Sequence, residues 1–190
     1  MRYKAIAAKD QEFNTVIQKG TAIVDVGFGS MQLSLFDKDS LVTTQNLPLG
    51  VMRIQRLTGQ IPANMDLNRQ MVEALVDSEL FTFRKRYLKD RNIQNRIGIG
   101  DNSLVMLRQA LNGVRPDADR MTAADVNRFY DGLCRMSQDE MQDLFGINAE
   151  YAELLLPSAV IYKRIMEITG AEQFWLPGIR LFYGIGAGYA

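Results

Sequence analysis

The chain has 190 residues, with 22 basic and 22 acidic side chains, and 47% of its residues are apolar. This composition predicts a globular protein with one domain over residues 1–190, and the neutral net charge gives no reason to expect nucleic acid as a partner. The absence of histidine from the sequence excludes histidine-activated nucleophiles and histidine-bound metals, and the single cysteine, Cys134, excludes an internal disulfide and a thiolate zinc site.

The first 50 residues predict three strands joined by short polar turns. After a helix-like stretch over residues 5–18, the run TAIVDV beginning at Thr21 is almost entirely apolar, as in a buried strand. MQLSLFD alternates apolar and polar residues, and LVTTQNLPLG follows a turn at residues 37–40. This order indicates an antiparallel meander.

From Val51 onward the periodicity is mostly helical. Asn64 is placed to cap a long helix. Its apolar residues recur every three or four positions: Leu67, Met71, Val72, Leu75, Val76 and Leu80. RIGIG then predicts a short buried strand, and Asn102 or Ser103 is expected to cap the helix after it.

The remaining helices are marked by their first residues. Thr122 with Asp125, and Ser137 with Glu140, have the spacing of capping boxes. A last long helix is expected to start at Asn148, to be kinked or broken at Pro157, and to end at Gly170, before a short C-terminal strand. The whole pattern predicts an α/β domain with a mixed sheet and a large helical elaboration.

The segment DVGFGSMQ, residues 25–32, carries the strongest chemical signal. Asp25 ends a buried strand, and a glycine turn then leads directly into another strand, so backbone amides can converge on an anion. A carboxylate there suits hydrated Mg²⁺. On spacing alone, a structural hairpin with a buried, hydrogen-bonded aspartate fits equally well. The strand-to-strand context excludes a Walker loop and a Rossmann fingerprint.

Several segments resemble the exopolyphosphatase and guanosine pentaphosphate phosphatase (Ppx/GppA) family. DVGFGSMQLSLFDK is similar to its motif D-[IV]-G-[GS]-G-S-[TI]-[EQ]-L, and NLPLGVMRI to its L-G-x-V-R-[IL]. RIGIGDNSLVML stands in the place of a later glycine turn, and MSQDEMQDLFGINAEYAELLLPSAVIYKRIMEITG follows the family's helical run. The resemblance covers essentially the whole chain. It implies a ribonuclease H-like lobe of the actin, sugar kinase and Hsp70 superfold.

The resemblance also implies half of a phosphatase site. In such enzymes two lobes close over a terminal phosphate, the glycine turn binds it, acids hold Mg²⁺, and a glutamate activates water for in-line attack on the phosphoanhydride. By position, Asp25 is the catalytic acid near metal and water, and the phosphate binders are Gly27, Gly29 and Ser30. Gln32 stands where many members have a metal-associated glutamate.

The upstream catalytic glutamate of the family falls in the segment IAAKDQEF. The alignment places it at Asp10 or Gln11, with Glu12 one residue further. Nothing before Asp25 resembles the family's first-lobe motif, D-x-G-[ST]-[NY]-S. We therefore expect the chain to be the C-terminal lobe of a longer protein, and to have little activity without the N-terminal lobe.

Two functions follow from these observations. The first is a phosphohydrolase lobe that acts, in its parent protein, on polyphosphate or guanosine pentaphosphate. The second is a noncatalytic phosphate- or nucleotide-binding sensor or scaffold, which is favoured because Phe28 replaces a small residue and Gln32 lacks a charge. A sugar kinase fits less well, because the turn at residues 98–101 is too sparse for an adenosine pocket.

The segment Arg84–Arg96 carries six cations against one anion. We expect Arg84, Lys85 and Arg86 to contact polyanionic substrate, with a solvated helix face as the alternative. Aromatic residues near this segment, together with the methionines, are expected in the core or at a lobe interface, where exposure could promote a homodimer. The lone cysteine is typical of a cytoplasmic protein, and no apolar run approaches the roughly 18 residues of a membrane span.

Overall fold

The structure is a computed structural model, and it describes residues 15–59, 65–99 and 120–176. The strands are β1 Thr21–Val26, β2 Met31–Asp37, β3 Ser40–Leu47, β4 Asn95–Ile99, β5 Arg120–Thr122 and β6 Gln173–Trp175. The helices are α1 Val51–Thr58, α2 Met65–Phe83, α3 Ala123–Leu133, α4 Gln138–Phe145 and α5 Ala149–Thr169. A π-helical turn, Arg84–Leu88, follows α2 directly.

The six strands form one mixed sheet in the order β3-β2-β1-β4-β6-β5. β1, β2 and β3 are the antiparallel meander that the sequence predicts. β4 lies parallel to β1, and β6 lies parallel to β4. The short strand β5 pairs antiparallel with β6 and was not expected, because Thr122 stood out in the sequence only as a helix cap.

The two faces of the sheet carry different side chains. Ala22, Val24 and Val26 of β1 belong to the main core that packs against the helices. The alternate residue Ile23 belongs to a smaller cluster on the opposite face, together with Ile99 of β4. Because successive side chains of a strand point to opposite faces, Asp25 lies on the same face as this smaller cluster.

Most helix boundaries follow the sequence signals. Both capping boxes are present, with the Thr122 and Ser137 side chains accepting hydrogen bonds from backbone amides three residues later. Asn148 caps α5, which continues through Pro157 to Thr169 and ends at the predicted Gly170, so of the predicted kink or break at the proline the break is wrong. Among the described helices, none alone is long and apolar enough to cross a membrane; α4 and α5 reach that limit only together, across a 97° bend.

The long helix α2 buries a narrower stripe than the sequence predicts. Val72, Val76 and Leu80 are buried in the main core. Leu67 and Met71, in its first turns, are 43% and 37% exposed.

Candidate functional site

A tight turn, residues 27–30, joins β1 to β2. The Gly27 amide donates a hydrogen bond of 2.9 Å to the Ser30 carbonyl, which closes the turn. Gly27, Phe28 and Gly29 are exposed, whereas Ser30 is half-buried. The sequence prediction that residues 25–32 form a strand–turn–strand unit is confirmed.

The first turn of α1 holds this loop in place. The Val51 amide donates to the Gly27 carbonyl at 3.1 Å. The Met52 and Arg53 amides donate to the Phe28 carbonyl at 3.0 and 3.2 Å. The first amides of a helix have no acceptor within the helix, and no side chain caps α1. The backbone of the turn therefore caps the helix.

These hydrogen bonds fix the direction of the turn's own amides. In a trans peptide the C=O and N–H groups point to opposite sides, and the described residues contain no cis peptide. Because the Gly27 and Phe28 carbonyls face α1, the amides of Phe28 and Gly29 point away from it. Two adjacent exposed amides can bind an anion such as phosphate. The Gly27 amide instead donates to the Ser30 carbonyl within the turn, and direct phosphate binding by Gly27 or Ser30 stays a prediction.

Gly50 makes the close approach of α1 to the turn possible. A Cβ atom on Gly50 would lie 2.2 Å from both the Gly29 carbonyl carbon and the Phe28 carbonyl oxygen. A Cβ on Gly29, in contrast, would meet nothing within 4 Å. The resembling segment NLPLGVMRI contains Gly50, but its sequence alone gives no signal of a contact with residues 28 and 29. The space on the Cβ side of Gly29 is therefore open.

Asp25 and Gln32 face each other across β1 and β2. They are direct Cα partners in the antiparallel register, and such pairs have Cβ atoms about 4.5–5.5 Å apart. Asp25 is 8% exposed and Gln32 is half-buried. Gln32 is in turn the partner of Asn46 on β3, so a carboxylate and two carboxamides form one row across three strands. Sequence reasoning missed Asn46, and counting residues from the β2–β3 turn would have pointed to Gln45 instead, because the register shifts by one residue between Leu35 and Phe36.

The donor chemistry of this row suits a hard, oxygen-bound cation and not a site built from several acidic, histidine or cysteine ligands. In the part of the chain that the structure describes, no three His, Cys, Asp or Glu side chains are grouped as a metal cage would require. One carboxylate with side-chain amide oxygens fits a largely hydrated Mg²⁺ that also binds substrate phosphates. The predicted catalytic residues Asp10 and Glu12 lie outside the described residues.

The exposed cations Arg84, Lys85 and Arg86 lie at the other end of the sheet. The chain after them enters β4 beside Gly20, whose carbonyl accepts hydrogen bonds from the Gln94 and Asn95 amides at 2.8 and 3.1 Å. Gly20 precedes β1 and the glycine turn follows it, so the point at which the chain enters β4 is separated from the turn by the length of a six-residue strand, roughly 20 Å. The structure thus does not bring these cations together with the turn, and their role in polyanion binding stays a prediction.

Arg96, the last cation of the basic segment, is not part of this exposed surface. It is 7% exposed, and burial lowers its pKa. Its guanidinium donates to the Thr169 hydroxyl at 3.2 Å, to the Thr169 carbonyl and to the Gln94 carbonyl at 3.0 Å. Arg96 therefore ties the start of β4 to the end of α5.

Comparisons with known proteins identify the family and the fold of the chain. The model of the Ppx/GppA phosphatase family matches residues 12–176. A search of curated proteins gave no match. Among solved structures, the type II variant of the Aquifex aeolicus Ppx/GppA phosphatase is 15% identical, with a TM-score of 0.69, over 92% of this chain and 56% of its own.

Two further structures are similar to the chain. A second structure of the Aquifex aeolicus family member is 15% identical, with a TM-score of 0.72, over 98% of this chain and 61% of its own. An exopolyphosphatase from Cytophaga hutchinsonii is 18% identical, with a TM-score of 0.67, over 88% and 58%. The chain thus spans less than two thirds of each of these proteins. The fold is the ribonuclease H-like fold of the actin-like superfold. The chain belongs to the Ppx/GppA phosphatase family.

Proposed function

We propose that the chain is one lobe, the C-terminal one, of a phosphohydrolase that releases terminal phosphate from polyphosphate or guanosine pentaphosphate. The observation that carries the proposal is the turn at residues 27–30, whose Phe28 and Gly29 amides point away from α1 beside the carboxylate of Asp25. The lobe that closes over the phosphate from the other side lies outside this chain, so the chain alone is expected to bind phosphate and to hydrolyse little.

The chemistry would rely on electrostatic stabilisation. The two amides would hold non-bridging oxygens of the terminal phosphate and stabilise charge that develops as the bond to the leaving group breaks. Asp25, with the side-chain oxygen of Gln32, would hold Mg²⁺. When bound, this ion supplies positive charge to the phosphate oxygens. A carboxylate at Asp10 or Glu12 would take the proton of the water whose oxygen bonds to phosphorus as the phosphoanhydride P–O bond breaks.

A noncatalytic phosphate-binding role is the second candidate. Gln32 faces Asp25 at the position where the family resemblance places a metal-associated glutamate. The described residues accordingly offer one carboxylate in this row, with no three-carboxylate cluster. In this role the turn would bind phosphate or a nucleotide without hydrolysing it.

Phosphate release and phosphate binding together distinguish the two functions. We would measure release from polyphosphate with Mg²⁺ in a protein that joins a first lobe to this chain, and binding of inorganic tripolyphosphate to the chain alone. A phosphohydrolase should lose release with Asp25→Asn and lose binding with Gly29→Ala, whose methyl group occupies the open space over the turn.

The second function predicts a different pattern. Tripolyphosphate binding would persist without any release of phosphate. Gln32→Glu then tests whether the missing charge is the cause, because a gain of phosphate release would restore the first proposal. Either no binding of tripolyphosphate by the chain, or binding that Gly29→Ala leaves unchanged, would refute the turn as a phosphate site.

A further inference from the structure

A cavity of about 270 Å³ lies between the five helices. Its volume is slightly below the range of sites for drug-sized ligands, about 300–1,000 Å³, so it suits a smaller molecule. Gln55 and Thr58 line it from the second half of α1, whereas the first amides of α1 hold the glycine turn. The cavity and the turn therefore lie at opposite ends of this helix.

One part of the cavity wall is apolar. It is formed by Leu133 at the end of α3, Met136, Met141 on α4 and Leu156 on α5. Leu133 and Met141 are buried, and the other two are half-buried. Methionine side chains adapt to the shape of the groups that they contact. This part of the wall can therefore pack against a short aliphatic or thioether chain.

A second part of the wall carries a guanidinium with an unused donor. Arg69 of α2 lines the cavity, and its Nη2 atom pairs with Asp66 at 3.3 Å. The Asp66 side chain is 79% exposed, so this pair holds Arg69 only weakly. The Cys134 thiol also lies within hydrogen-bond reach of the guanidinium, but a thiol is a weak acceptor. The Nε atom is buried and donates no hydrogen bond to the described residues, so a ligand carboxylate there would satisfy it.

α5 presents a carboxylate to the same cavity. The two side-chain oxygens of Glu153 accept hydrogen bonds from the side-chain amides of Gln55 at 2.7 Å and Gln138 at 3.1 Å. These uncharged donors belong to α1 and α4 and fix the position of the carboxylate without neutralising it. The sequence has no Lys or Arg between Arg135 and Lys163, and within residues 15–59, 65–99 and 120–176 Glu153 pairs with no cation. Its charge is therefore available to an ammonium group.

These charges narrow the class of ligand. A simple anion would meet Glu153 as well as Arg69, and a simple amine would meet Arg69 as well as Glu153. A molecule that carries both a carboxylate and an ammonium is complementary to the two together.

We propose that this cavity binds an α-amino acid with an aliphatic or thioether side chain. Its carboxylate accepts hydrogen bonds from Arg69, its ammonium donates to Glu153, and its side chain packs against Met141 and Leu156. The site is separate from the glycine turn, so this inference does not depend on the proposed function.

The test is a titration of L-leucine and of L-methionine into the 190-residue chain, followed by ¹H–¹⁵N NMR. Amide signals of residues that line the cavity, such as Gly59 and Cys134, should shift and saturate. Two analogues of leucine each lack one charge: 4-methylpentanoate has no ammonium, and 3-methylbutylamine has no carboxylate. Each should bind at least tenfold more weakly than leucine, because it loses one charge-assisted hydrogen-bonded group.

Glu153→Gln removes the charge and keeps the shape of the side chain, so it should lower leucine affinity at least tenfold. Arg69→Gln should do the same from the opposite wall. The matched control is Glu150→Gln, because Glu150 is an exposed acidic residue of the same helix that does not line the cavity. It should leave leucine affinity unchanged. Circular dichroism of each variant should match that of the parent chain.

Three results would overturn the proposal. The first is the absence of saturable shifts with both amino acids. The second is equal affinity for leucine and its single-charge analogues, which would leave only an apolar cavity. The third is leucine binding that either Glu153→Gln or Arg69→Gln leaves unchanged.

Discussion

Gly50→Ala should separate α1 from the turn that it holds. The backbone of Gly50 has φ −83° and ψ 143°, which any residue adopts, so conformational strain at position 50 is not the issue. The added methyl carbon would instead lie 2.2 Å from backbone atoms of residues 28 and 29. Backbone atoms cannot rotate out of the way as a flexible side chain can.

The size of the effect follows from these distances. Non-bonded carbon atoms are at their optimum about 3.5–4.0 Å apart, so the helix and the turn must separate by about 1 Å or more. Hydrogen bonds of 3.0–3.2 Å from the α1 amides to the turn would then exceed the usual limit of a hydrogen bond. Combining this loss with the cost of overpacking, we expect a decrease of roughly 2–4 kcal/mol in the free energy of unfolding.

Urea unfolding followed by circular dichroism measures this change, and Gly29→Ala is the matched control. A Cβ at Gly29 meets no atom within 4 Å, so this variant should stay within about 0.5 kcal/mol of the parent chain. Gly50→Ala should also weaken tripolyphosphate binding, because the orientation of the turn amides depends on the lost hydrogen bonds. Equal stability of the two variants would refute the argument that α1 fixes the turn.

Three other changes test the fold away from the site. Lys38→Asn should raise the free energy of unfolding, measured with urea, by about 0.5–1 kcal/mol, because Lys38 has φ 50° and asparagine tolerates this left-handed conformation better. An unchanged free energy of unfolding would contradict this explanation. The pKa of Glu140 is lowered by hydrogen bonds from the amide and hydroxyl of the residue that caps α4. This stabilisation is complete above the unfolded-state pKa of about 4.3 and is lost as the pH falls through the lower folded-state pKa. Glu140→Gln should therefore flatten the acid side of the stability–pH profile. An unchanged profile would contradict the role of these hydrogen bonds. Arg96→Met should lower the free energy of unfolding, measured by thermal or urea unfolding, by about 1–3 kcal/mol because the Thr169 carbonyl loses its donor. The control Arg84→Met, at an exposed position, should lower it by no more than about 0.5 kcal/mol.

Local hydrogen bonding explains what the sequence predicted well. The hydrogen bonds of a capping box join residues only three positions apart, so Ser137 and Glu140 predict the start of α4 without knowledge of the rest of the fold. The meander is equally local, since its strands are joined by short turns whose residues are visible in the sequence. The pairing of Asp25 with Gln32 follows from the tight turn at residues 27–30, which is why these two residues of the candidate site could be predicted to lie together.

Contacts between distant segments explain what the sequence could not show. Arg84 and Arg96 belong to one basic run, yet one lies on an exposed π-helical turn and the other is buried against Thr169, 73 residues away. The function of Gly50 likewise depends on a neighbour in the turn rather than in α1.

The structure assigns two proposed tasks, which the sequence presents as one motif, to different groups of atoms. The turn and the first amides of α1 orient the groups that would bind phosphate, so this task depends on backbone geometry. Asp25 and Gln32 lie on strands, where the register of the sheet fixes their distance, so Gln32→Glu adds charge to a rigid position without moving the turn. Because each task depends on different atoms, loss of hydrolysis and loss of phosphate binding can be observed independently, and that independence makes the choice between an enzyme and a binding module decidable by experiment.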